Sequence, residues 1–158
     1  MKKCPKFLYF TLQELFGSSV GSSHNLAPYS FCDDAERVHS YMMQFYKQEY
    51  CNMCYLVRYY LDPIRGMLGF PITVTSSYRS LALNKLVGGV PNSYHLFGCA
   101  FDLVASTSAD FTKLSKFLTL LSISNPLIKV LDYGKYLHLQ FKLTKEQKDL
   151  ALGMFDDC

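Results

Sequence analysis

Apolar positions along the chain recur at two spacings, which divide it into predicted helices and predicted strands. Thr11 followed by Glu14 has the form of a capping box, each side chain satisfying the other's N–H, and predicts a short helix over residues 11–16. Residues 17–29 are mostly Gly, Ser, Asn and Pro and predict a loop in which His24 faces solvent. With Asp33 or Asp34 as its cap, a long helix comes next, in which Val38, Met42, Phe45, Met53, Leu56 and Tyr60 recur near helical spacing. His39, beside the polar Ser40, is expected on its surface. Asp62-Pro63 restarts the helix, since Pro is tolerated in a first turn, and Gly69 ends it.

The spacing then changes. Ile72-Thr73-Val74-Thr75 is a β-branched run and predicts a first strand that delivers Tyr78 and Arg79 at its exit. A short helix over residues 80–87 is closed by Gly88-Gly89. Residues 100–104 predict a second strand, whose alternation puts Ala100, Asp102 and Val104 on one face. A helix beginning at Ser108 carries the stripe Phe111, Leu114, Leu118 and Leu121 toward the core. Residues 127–132 and 136–142 form a hairpin across Tyr133-Gly134-Lys135. A loop of those three residues sets Asp132 opposite Tyr136 and diagonal to His138 on the same face, about 7 to 8 Å away. Thr144 with Gln147 is a second capping box, opening a terminal helix over residues 144–153 that packs on the rest.

A chain of 158 residues with 49% hydrophobic and 15% aromatic content is expected to fold as one compact domain, residues 1–158, and not to be disordered. The balance of 16 Lys+Arg against 13 Asp+Glu leaves +3, and the basic residues are scattered. That argues against a nucleic-acid partner and leaves a mild preference for anionic surfaces. No run approaches the ~18 apolar residues of a membrane span. Met1-Lys2-Lys3 has the start of a signal peptide, but Lys6, Gln13 and Glu14 interrupt the apolar run that such a segment needs. The expectation is a soluble monomer made in the cytoplasm. The six cysteines, Cys4, Cys32, Cys51, Cys54, Cys99 and Cys158, are expected mostly reduced, because a chain of this length does not depend on staples. Cys51-Asn52-Met53-Cys54 falls in a helix interior and Cys99 in a packed strand, so both read as core.

The candidate chemistry lies in Ser93-Tyr94-His95-Leu96-Phe97-Gly98-Cys99-Ala100-Phe101-Asp102. His95 and Asp102 stand seven residues apart in an apolar run, with Gly98 as the bend between them. Catalytic zinc is usually held by three protein groups drawn from such residues, with a fourth position left to water. By itself the spacing is more often that of a hydrogen-bonded structural histidine than of a ligand. A third ligand must come from elsewhere among four histidines, and His138 has a rigid strand seat in Tyr136-Leu137-His138-Leu139.

Arg79, Asn84, Val87-Gly88-Gly89-Val90-Pro91-Asn92-Ser93, His95, Gly98, Ala100 and Asp102, taken together, resemble the signature of the D-Ala-D-Ala carboxypeptidase family of zinc metallopeptidases, peptidase M15, which includes phage endolysins. The chain is most similar to its small, single-domain, phage-associated branch. Tyr9-Phe10-Thr11-Leu12-Gln13-Glu14-Leu15, Leu61-Asp62-Pro63-Ile64-Arg65 with Gly69-Phe70-Pro71-Ile72, and Tyr136-Leu137-His138-Leu139 extend the likeness over residues 8–142. The resemblance implies an α+β fold of the hedgehog/DD-peptidase type, in which a small antiparallel sheet carries the zinc site and packs against helices.

It also implies roles. One Zn²⁺ per chain would be held by His95, Asp102 and His138. The base would be an acid a few positions before the last ligand, where Asp132 is the only carboxylate between Asp110 and Glu146. Relatives more often have Glu there, and some place the acid three residues before the histidine, where this chain has Lys135. Arg79 would bind the substrate's carboxylate or polarise its carbonyl through a bidentate fork. Ser93 and Tyr94 would contact substrate, Tyr94 replacing a common Gln, and Tyr136 would stabilise the oxyanion. The function implied is cleavage of D-amino-acid-containing peptidoglycan stem peptides or cross-links, by a phage-encoded enzyme that reaches the wall after release or delivery. The alternative is a non-catalytic, zinc-stabilised domain of the same fold that binds cell wall or a protein partner.

Overall fold

The structure, a computed structural model, describes residues 5–154. Cys4, Cys158 and the Met1-Lys2-Lys3 start lie outside the described residues. Among the described residues eight α-helices and four strands run in the order α1 Leu12–Leu15, α2 Ser19–Ser23, α3 Ala35–Phe45, α4 Lys47–Leu56, α5 Asp62–Leu68, β1 Ile72–Ser76, α6 Leu81–Leu86, β2 Ala100–Ala105, α7 Ser108–Ser124, β3 Ile128–Asp132, β4 Leu137–Phe141 and α8 Lys145–Gly153. The strands form one antiparallel sheet in the order β1-β2-β4-β3, and the fold is α+β.

Most predicted elements are present, and the departures have physical reasons. Thr11 accepts from the Glu14 N–H as a cap should, but the Glu14 carboxylate accepts from Val74 N–H on β1 instead of closing the box, so one residue ties α1 to the sheet. The stretch expected to be a loop contains α2, started by the Ser18 hydroxyl accepting from Gly21 N–H. The single long helix is broken at Tyr46. Beyond α4 the chain widens into a π turn over Val57–Leu61 before α5, where Pro63 has no N–H to donate to the preceding turn. Asp62, buried, accepts from the Leu8 and Tyr9 N–H groups and pins the N-terminal segment. His39, expected on the surface, is buried, with Nδ1 3.0 Å from the Tyr50 hydroxyl. Its position opposite Tyr50 on the neighbouring α4 is a tertiary fact that local polarity does not predict.

The pleat divides the sheet into two faces. Phe101, Leu103, Leu137, Leu139 and Phe141 point to one, where Leu114 and Leu118 of α7 join them in the core. Ala100, Asp102, His138 and Gln140 point to the other, since Asp102 pairs with His138 and Ala100 with Gln140. This second face is left open as a cleft. Cys32, Cys51, Cys54 and Cys99 stand as thiols, the last three buried, and no helix among the described residues is long and apolar enough to cross a membrane.

Candidate metal centre

β2 and β4 seat Asp102 and His138 directly across from each other, and the segment between α6 and β2 brings in His95. Ser93 starts the helical turn Tyr94–Phe97 by accepting from the His95 N–H. Gly98 ends the turn with φ +68, and a Cβ there would run into the Glu49 carbonyl, so only glycine allows this return into β2. Asn84 braces the same segment by donating to the Val90 carbonyl.

The three side chains converge. His95 Nε2 lies 3.2 Å and His138 Nδ1 3.0 Å from the same carboxylate oxygen, Asp102 Oδ1, and one ligand atom from each residue falls within 4.8 Å of the others. His95 Nδ1 is 2.6 Å from the Ser77 carbonyl and His138 Nε2 is 2.9 Å from Gln140 Oε1. Each outer nitrogen therefore donates its N–H, which turns the inner lone pairs toward Asp102. Two nitrogen lone pairs and a carboxylate oxygen aimed at one point repel unless a cation lies between them. The chemistry of this donor set, two imidazoles and one carboxylate with their tautomers fixed from behind, is that of a zinc site with room for a fourth ligand. Burial works against the charged form of Asp102, but its contacts with His138 and His95 prevail and hold its carboxyl at about 2.

Arg79 sits at the margin. Its Nη2 donates to Asp102 Oδ2 at 3.3 Å and its Nε to Ser76 Oγ at 3.2 Å. The guanidinium thus occupies the carboxylate oxygen that the histidines leave, while lining a cleft of about 470 Å³ with Ser93, Tyr94, Tyr133 and Tyr136. Burial first, then the charge of Asp102, pushes the Tyr136 hydroxyl above its ordinary value, so it remains an O–H donor at neutral pH.

Asp132 is the exception. Its expected place rested on a three-residue hairpin loop, but Tyr133 N–H donates to the Tyr136 carbonyl, leaving a two-residue turn at Gly134-Lys135 with Gly134 at φ +78. Asp132 then pairs with Leu137, and Leu131 pairs with His138. A one-residue change in register moves a side chain to the opposite face. The Asp132 carboxylate accordingly lies on the α7 side, accepting from Ser115 Oγ at 3.1 Å and Gly134 N–H at 2.8 Å. Besides His138 and Gln140, the hairpin residues facing the cleft are Leu131, Tyr133 and Tyr136, and Asp102 is the only carboxylate among the described residues that line it. The reading from sequence missed Tyr133 and Gln140. Gln140 was legible in the alternation His138-Leu139-Gln140, which places it beside the ligand on the same face.

A family model for peptidase M15 matches residues 41–140, a span that holds Arg79, Ser93, His95, Asp102 and His138. No curated protein and no solved structure matches the chain significantly. The match covers well over half of the sequence, and the cluster within it has the donor set that a family of zinc enzymes requires. On these grounds the chain belongs to the peptidase M15 family.

Proposed function

We propose that this protein is a zinc-dependent peptidase of the D,D-carboxypeptidase or endopeptidase type, acting on peptidoglycan stem peptides or their cross-links. The observation that carries this reading is the convergence of His95 Nε2, Asp102 Oδ1 and His138 Nδ1 in an open cleft beside the Arg79 guanidinium. When bound, zinc supplies a Lewis acid that polarises the scissile carbonyl and lets water attack near neutral pH. The protein's own groups do the rest. Ser77 and Gln140 keep both imidazoles in the ligating tautomer. Arg79 fixes Asp102 and presents a cation to a substrate carboxylate, while Ser93 and Tyr94 line the path along which the peptide lies. Tyr136 offers an O–H to the oxygen on which charge develops. A phage-encoded enzyme that meets the wall after host lysis or delivery fits the resemblance to the phage-associated branch.

The absence of a second carboxylate among the described cleft residues favours one other reading, a metal-stabilised binding domain that does not turn over. General-base catalysis is worth about 10² to 10⁴-fold, so a site without it should cut slowly. Purified protein incubated with defined muropeptides, with product masses read before chelation, after it and after zinc is restored, separates the two. Zinc-dependent loss of a terminal D-residue or opening of a cross-link supports the peptidase; unchanged masses at stoichiometric enzyme overturn it.

A further inference from the structure

A second cleft, of about 450 Å³, begins where the first ends. Asn92 and Tyr94 line both, so the two clefts adjoin at these residues. Phe97, Phe141 and Leu143 give the second cleft's lining an apolar part, and Lys142 and Lys148 line it as well. Both lysines are exposed, and among the described residues neither has a carboxylate within ion-pair distance. Among the described residues Glu49 is the sole carboxylate that lines this cleft, so there two ammonium groups stand against one.

β4 fixes the separation of the two clefts. His138, Gln140 and Lys142 alternate onto the same face, with Lys142 continuing the ladder through its N–H to the Leu127 carbonyl. Four extended residues at about 3.3 Å each put Lys142 roughly 13 Å along the strand from the metal ligand. An extended substrate covers the same distance in about four residues.

We propose that this second cleft is a subsite for an anionic part of the peptide, where Lys142 and Lys148 take a free carboxylate about three to four residues from the scissile bond. This rests on the peptidase reading and adds a substrate class to it: stem peptides with an unamidated acidic residue are preferred over their amides. Exposed charge pairs are individually weak, so the subsite contributes a selectivity of several-fold and sets KM more than kcat.

The test uses two synthetic stem pentapeptides that differ only in whether the second residue carries a free carboxylate or its amide. Their Kd values are measured calorimetrically on zinc-loaded wild type and on the double variant Lys142→Glu/Lys148→Glu. Wild type should bind the acid several-fold more tightly than the amide, a preference that shrinks with added salt. The double variant should lose about tenfold on the acid and less than twofold on the amide, at unchanged melting temperature. If the double variant does not fold, Lys142→Gln, at an exposed position, should still lower the acid-to-amide preference. Equal affinity of wild type for both peptides, no binding of the acid, or an equal loss on both in the variants overturns the subsite. Parallel mass analysis keeps the two proposals apart: a wild type that prefers the acid but cleaves neither peptide sinks the peptidase reading and leaves the subsite standing.

Discussion

Gln140 is where a single side chain has the most leverage on the metal centre. Its Oε1 holds the proton of His138 on Nε2 and so directs the Nδ1 lone pair at the ion position. Partners of this kind are typically worth 10 to 100-fold in metal affinity. Gln140→Leu should therefore weaken zinc binding by about that factor in competition with a chromophoric chelator, while Gln140→Glu, which can still accept the N–H, should retain most of it. Arg79 is a second such position. A planar fork contacts Ser76 and Asp102 with different nitrogens, which an ammonium cannot do. Arg79→Lys should retain zinc, read by metal analysis, and lose at least about tenfold in kcat/KM on carboxylate-ended peptides; wild-type kinetics in that variant would show that the fork does not touch substrate.

At the scale of the element, the hairpin decides what the cleft contains. The two-residue turn aims Tyr133 and Tyr136 at the site, their rings stacked 5.0 Å apart, and turns Asp132 toward Ser115 on α7. Asp132→Asn should accordingly leave zinc content, melting temperature and kcat within about twofold of wild type, because the amide oxygen can still accept from Gly134 N–H while its NH2 donates to the Ser115 hydroxyl, and the group does not reach the reacting atoms. Tyr133→Glu places an acid on the cleft-facing side of the same turn. If proton acceptance limits turnover, that variant should cut defined muropeptides faster, toward the ~10²-fold that a placed base contributes. A large loss in Asp132→Asn without loss of zinc would show instead that the hairpin register changes during turnover.

For the molecule as a whole, the buried phenols and thiol set the behaviour in alkali. Burial pushes the Cys99 thiol up to about 12 and raises the Tyr29 and Tyr78 hydroxyls further, Tyr29 being held between the Tyr78 carbonyl and the Ser80 N–H. In the unfolded chain these groups ionise near their ordinary values, about 8.5 for Cys and about 10 for Tyr. Each keeps its proton in the fold at a pH where the unfolded chain has lost it. Their stabilisation is thus complete below those values and is lost as pH rises toward about 12. The melting temperature should fall progressively above about pH 9, and Cys99→Ala should flatten the first part of that fall. A melting temperature constant from pH 8 to 11 would contradict this burial.

Local spacing in the sequence determined the elements and most of the ligand geometry. Alternation in residues 100–104 and 137–141 is enough to set Asp102 and His138 on the face opposite the core side chains, because the period of a strand is two, and the cap at Thr144 with Gln147 is present as read. What local spacing does not contain is partner choice. The Glu14 carboxylate bonds to Val74 N–H and not back to Thr11 N–H, and His39 is buried beside Tyr50, because segments far apart in sequence are brought together only by packing. Asp132 shows the limit most clearly. A single residue more or less in a turn leaves composition and periodicity unchanged, yet it moves a carboxylate from the cleft to the opposite face of the sheet. Only the hydrogen bond from Tyr133 to Tyr136 in the folded hairpin decides which face the carboxylate takes.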